Sequence, residues 1–139
     1  MQIMNLSPRN SYWLLPDQKT KRIEQAIVLV ETIMKEARTA DKCAKGLLAR
    51  GCLAENVGNF HKAALFYQLG IDQQPEDSGV RYWLLNNLGF SLNQLGRYQE
   101  AEDACRQAIR ENPNISNAHK NLGLSLKGQE KDGDRSRIS

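Results

Sequence analysis

The sequence predicts an all-α fold in which antiparallel helix pairs stack side by side, about six helices in all. Apolar residues step by three and four in Leu85, Leu88, Leu92 and Leu95, and again in Tyr98, Ala101, Cys105 and Ala108. That period marks one face of a helix. Only Gly96-Arg97 stands between the two runs, which leaves room for a tight turn. Pro113 then closes the second run, because proline has no N–H to donate and clashes with the preceding turn.

Residues 1–16 hold Pro8 and Pro16 with Asn5, Ser7, Asn10 and Ser11, a composition that favours turns and predicts an irregular segment. Tyr12, Trp13, Leu14 and Leu15 are its apolar exception. They read either as a cluster covering an open end of the stack or as an anchor for a partner. From 17 to 38 no proline or glycine interrupts, and Ile23, Ala26, Ile27, Val30, Ile33, Met34 and Ala37 fall at helical steps. Asp17 is the candidate cap of this helix. No first helix precedes it, so 17–43 reads as a half-repeat capping the stack.

A helix over 41–56 follows, then the turn Gly58-Asn59. Downstream, Gly58, Phe60, Ala63, Tyr67, Gly70 and Pro75 match Gly96, Tyr98, Ala101, Cys105, Ala108 and Pro113 one for one, and Gly51 aligns with Gly89. Residues 44–77 and 82–115 are therefore two copies of one unit. Gly51 to Gly89 is 38 residues and Gly89 to Gly123 is 34, so four residues are inserted near 77–81. Four residues are close to one helical turn, which predicts an extra turn beginning near Ser78 with Asp77 or Ser78 as its cap. Ala118, Leu122-Gly123 and Leu126 repeat the first-helix pattern over 116–128, a terminal lid. The remainder, 129–139, is nearly all polar, with Ile138 its one large apolar residue, and is expected to be a mobile tail.

With 40% apolar and 25% charged residues, the composition is that of an ordinary soluble protein with a packed core. Net charge is +3, yet residues 23–126 sum to −1 and the excess of base lies at the two ends. A nucleic-acid face would gather Lys and Arg on one surface, so no nucleic-acid partner is expected. Cys43, Cys52 and Cys105 form no C-x-x-C pair and no Cys/His spacing suited to zinc, which predicts a reduced, cytoplasmic protein. The N-terminus lacks the apolar core of a signal peptide and no window approaches the length of a membrane span.

The 34-residue unit, with Leu88-Gly89, Tyr98, Ala101, Cys105 and Pro113 in their places, resembles the tetratricopeptide repeat. The resemblance implies a right-handed superhelix of helix pairs whose concave wall, formed by the first helices, holds an extended peptide or a partner helix. Carried over position by position, the wall comprises Trp83, Asn86, Phe90, Asn93 and Gln94 in the regular unit and Asn117, Lys120, Leu124 and Lys127 in the last, with Asn87 and Asn121 alongside. In the first unit it comprises Lys45, Leu48, Cys52, Glu55 and Asn56. An asparagine offers one acceptor and two donors, so Asn87 and Asn121 are suited to gripping peptide backbone without reading side chains. Such a face also occurs as plain solvated surface. Members that clamp two carboxylates of a chaperone tail use lysines and an arginine where this chain has Leu48, Asn117 and Asn121; of that set only Asn87 agrees.

No set of residues suggests catalysis or a cofactor. His61 reads as exposed on a turn and His119 as a packing residue, while Glu100, Glu102 and Asp103 gather near a helix start, where they suit its dipole. Cys105 is expected to be buried and inert, Cys52 to be open to the groove. No nucleophile elbow, phosphate loop or metal set is present in the sequence. The expected function is a non-catalytic protein-binding adaptor or scaffold, with two alternatives. One is a secretion-type or assembly chaperone holding a client segment. The other is a self-association module in which the incomplete last unit pairs two chains through Leu124 and Leu126.

Overall fold

The computed structural model describes the backbone of residues 8–138 and the side chains of residues 18–133. The regular elements are all helices: α1 (Pro8–Asn56), α2 (Phe60–Asp72), α3 (Ser78–Gln94), α4 (Tyr98–Glu111) and α5 (Ser116–Ile138). Two compact units divide the chain, Met1–Glu36 and Ala37–Ser139. The described residues hold five helices against about six expected, as the stretches expected at 17–38 and 41–56 are one helix. Nothing between them breaks it: Thr39 and Ala40 both tolerate the α conformation.

Two expectations about the first unit are corrected. Residues 8–16 are helical rather than irregular, and Pro16 lies within α1. The side chains of Tyr12, Trp13, Leu14 and Leu15 lie outside the described residues. Further along, Ile23, Ile27, Val30, Ile33 and Met34 are helical as expected but remain 51–60% exposed. The stripe read as a buried cap is an open apolar face.

In the second unit the last turns of α1 pack with α2, α3 and α4 around Ala44, Tyr67, Leu84, Leu88, Leu92, Ala101 and Ala104. A second cluster of Tyr82, Leu85, Ala108 and Ala118 joins α3 and α4 to α5. Glycines set how closely paired helices approach. A Cβ on Gly51 would overlap the Tyr67 ring, and one on Gly89 would lie 2.5 Å from Cys105 Sγ. At Gly123, the equivalent residue of α5, nothing stands within 4 Å, as no helix among the described residues packs on that face. Gly58 and Gly96 make the two tight turns with φ of 78° and 77°, a region open to glycine at little cost.

The inserted turn lies where the spacing placed it. Asp77 caps α3, its carboxylate accepting from the N–H groups of Gly79 at 2.8 Å and Val80 at 3.2 Å. Arg81, one turn on, donates to both carboxylate oxygens of Glu111 at 2.9 and 3.1 Å and to the carbonyls of Pro75 and Glu76. The insertion thereby ties the start of α3 to the end of α4. At the other end, Tyr82 Oη accepts from Ala118 N at 3.1 Å and donates to Ile115 O at 3.4 Å. It thus satisfies one of the orphan N–H groups that open α5.

The segment expected to be mobile after residue 128 is a correction of the same kind. Helix α5 continues to Ile138. Gly128 is buried with its Cα against the Tyr98 ring, and Gln129 donates to Glu102 at 2.7 Å. Although too polar to form a further buried helix, these residues extend one already nucleated, which needs only one new bond per residue.

Candidate functional site

A groove of about 330 Å³ runs between α3 and α5, with the last turn of α1 at one wall. Its lining is Glu55, Asn86, Asn87, Phe90, Asn117, Lys120, Asn121 and Leu124. Seven of the residues expected in the regular and last units are therefore brought together, with Glu55 from the wall expected of the first unit, whereas Lys45, Leu48, Cys52 and Asn56 are not in the lining. The spacing of Asn86, Asn87 and Phe90 on α3 and of Asn117, Lys120, Asn121 and Leu124 on α5 puts each group on one helix face. A larger hollow of about 500 Å³ lies beside Arg97, Glu100, Gln129 and Asp132; of its three charged groups, Arg97 and Glu100 already pair with each other.

Trp83 and Asn93 do not line the groove. The Trp83 ring stands edge-on against Tyr82 at 4.9 Å between centroids and is 37% exposed. Asn93 is buried: its Nδ2 donates to Asn121 O at 2.9 Å and its Oδ1 accepts from Ser125 Oγ at 2.8 Å. Ser125 is not among the residues that the repeat positions mark out. The signal was present in the step of four from Asn121, which sets a hydroxyl on the same face of α5.

The asparagines form a chain. Asn121 Nδ2 donates to Asn86 Oδ1 at 3.0 Å, Asn86 Nδ2 to Asn87 Oδ1 at 3.0 Å, and Asn87 Nδ2 reaches Cys52 Sγ at 3.6 Å. Buried amides need such partners. Asn86 and Asn121 are therefore occupied in joining α3 to α5, while Asn87, half-buried and ending on a weak sulfur acceptor, keeps a donor that a stronger acceptor can take. Lys120 is exposed on the opposite wall.

At the α1 wall, Tyr67 Oη donates to Glu55 Oε1 at 2.9 Å and lies 3.6 Å from Cys52 Sγ. Burial first, then the hydrogen bonds to Cys52 and Glu55, hold the phenol protonated well above its ordinary range. Cys52 is half-buried beneath Asn87 and Tyr67 rather than open to the groove. Cys105 is buried as expected, and burial pushes its thiol up to about 11, with a contact to Ser125 pulling the other way. His61 is exposed, and His119 is a correction. It does not pack into the core but stands exposed with Nε2 at 2.8 Å from Pro113 O. Among the described residues no three His, Cys, Asp or Glu side chains gather to hold a metal, and no helix is long and apolar enough to cross a membrane.

Helix pairs joined by tight glycine turns, packed through glycine against a ring or thiol, define a helical-repeat protein. Residues 82–115, comprising most of α3, all of α4 and the connection to α5, match the family model for the tetratricopeptide repeat. No curated protein matches the chain. A tetratricopeptide repeat points to protein–protein interaction in a family that is generally non-enzymatic.

Proposed function

We propose that the second unit is a non-catalytic binding module that seats an extended peptide or helical segment of a partner protein along the α3–α5 groove. The supporting observation is the convergence of Asn87, Phe90, Lys120 and Leu124 on one hollow of about 330 Å³. Phe90 and Leu124 supply apolar contact, and an aromatic in a groove is a common anchor of binding energy. Asn87 and Lys120 supply the polar handles: an amide donor for a peptide carbonyl and a cation for a carboxylate. Asn86, Asn93 and Asn121 act behind them, fixing the separation of α3 and α5 so that little ordering remains to be done on binding. The three free cysteines suit a reducing compartment such as the cytoplasm.

Selection from a displayed random-peptide library tests this reading. Wild-type protein should recover a sequence family that Asn87→Ala/Lys120→Glu loses by tenfold or more, with both proteins equally helical by circular dichroism. Equal recovery by the variant would remove the groove as the binding site.

A further inference from the structure

Two charged residues line the α3–α5 groove, and they are opposite in sign: Glu55 from the last turn of α1 and Lys120 from α5. Lys45 and Lys127, the other charged residues at the wall positions of the repeat, lie outside the lining. Glu55 and Lys120 pair neither with each other nor with any other charged group among the described residues. Their settings differ. Glu55 is half-buried, and the fully buried Tyr67 donates to its Oε1 at 2.9 Å. That bond steadies the carboxylate, while Oε2 accepts no hydrogen bond among the described residues. Lys120 is exposed, its ammonium carried on a flexible four-carbon stem. A partly desolvated carboxylate gains more from an arriving cation than one in open water does.

We propose that the groove selects a partner segment carrying both signs of charge: a lysine or arginine side chain pairs with Glu55, and an aspartate or glutamate side chain of the same segment pairs with Lys120. This charge pattern rests on the groove being the peptide seat proposed above, and it names the chemistry of the occupant. Phe90 lines the same hollow with its ring edge-on to Phe60 at 6.0 Å between centroids, an apolar surface for the aliphatic stem of the partner's lysine or arginine. Opposite charges at separate points also fix the direction in which the segment lies, since turning it end for end sets like against like. An all-acidic tail is rejected for the same reason, because one of its carboxylates meets Glu55.

Random peptides displayed between fixed neutral linkers offer charge through their side chains alone. The sequence family that wild-type protein recovers should carry Lys or Arg at one position and Asp or Glu at another. A synthetic peptide of that family, followed by fluorescence anisotropy, then gives two double-mutant cycles. Glu55→Gln removes the charge but leaves an amide oxygen to accept from Tyr67, and circular dichroism should show its helix content unchanged. Combined with replacement of the peptide's cation by alanine, it should show a coupling of about fivefold or more. Lys120→Gln combined with replacement of the peptide's acid should show about two- to fivefold, because exposed pairs are weaker. The crossed combinations should be additive. A recovered family lacking either charge, or a charge whose removal is additive with its expected partner, overturns this proposal and leaves the groove as the binding site. Recovery of no family, or of one indifferent to Asn87→Ala/Lys120→Glu, overturns both.

Discussion

Gly89 gives the sharpest test of how the repeat is built. An alanine Cβ there would stand 2.5 Å from Cys105 Sγ, with the next neighbours at 3.4 Å, Ala101 O, and 3.6 Å, Cys105 N. The obstruction is therefore almost wholly one sulfur atom. Overpacking of this sort costs about 1–3 kcal/mol, offset by the roughly 1 kcal/mol that alanine gains over glycine inside a helix. Gly89→Ala should then lose about 0–2 kcal/mol. Cys105→Ala alone should lose about 1 kcal/mol, the worth of a small buried group. Combined, the two should nearly cancel, because removal of Sγ lets the methyl fit and the propensity gain survives. A double-mutant cycle by urea denaturation should give a coupling of at least about 1 kcal/mol. Gly123→Ala is the internal contrast: with nothing within 4 Å, it should stabilise by about 1 kcal/mol. Additive losses at Gly89 and Cys105, or a destabilised Gly123→Ala, would refute the account of glycine as the close-approach residue of a helix pair.

Asp77→Ala removes the carboxylate that accepts from Gly79 and Val80 and should cost about 1 kcal/mol in denaturant unfolding, whereas Asp77→Ser should recover most of it. Ser91 Oγ is buried with no hydrogen-bond partner among the described residues, so Ser91→Ala should raise stability by about 1 kcal/mol, read as a higher urea midpoint at unchanged slope. The Cys105 thiol, raised from 9.0 to about 11 in the folded chain, ionises first in the unfolded chain. Stability should therefore fall as pH rises from 9 to 11, by about 2 kcal/mol at most, and Cys105→Ala should flatten that part of the profile. Maleimide at neutral pH should label exposed Cys43 in the folded protein but Cys105 only after denaturation.

Local rules were legible in the sequence where one residue decides the outcome. Gly96 and Gly58 announced their turns because few other residues accept positive φ, and a four-residue insertion announced an added helical turn because the helix has a fixed pitch. Continuity was harder to read. The absence of a break at Thr39-Ala40 fuses two expected helices, and polar residues 129–138 stay helical once Gly128 and Gln129 are held by α4. These outcomes depend on packing partners remote in sequence. The groove was legible in position but not in chemistry. Repeat spacing placed Asn86, Asn87, Asn93 and Asn121 on facing helices, yet which of them would bond to each other depends on the distance between α3 and α5, which no single-helix pattern encodes.

That division of labour among the asparagines makes Asn121 the residue whose replacement separates architecture from binding. Its Nδ2 serves Asn86 and its carbonyl accepts from Asn93 and Ser125, so Asn121→Ala strips one partner from a buried amide while leaving the backbone contacts. Leaving Asn86 Oδ1 unpaired costs about 1–3 kcal/mol, a large share of the stability of a small domain. Asn87→Ala removes an amide whose donor ends on sulfur at 3.6 Å, a weak bond, and should change stability by less than about 1 kcal/mol. If Asn121 touched ligand and Asn87 held the fold, the two results would exchange places: thermal melts would single out Asn87→Ala and peptide recovery would single out Asn121→Ala. The hydrogen-bond chain requires the opposite order, a lower melting temperature for Asn121→Ala and weaker peptide capture at unchanged melting temperature for Asn87→Ala.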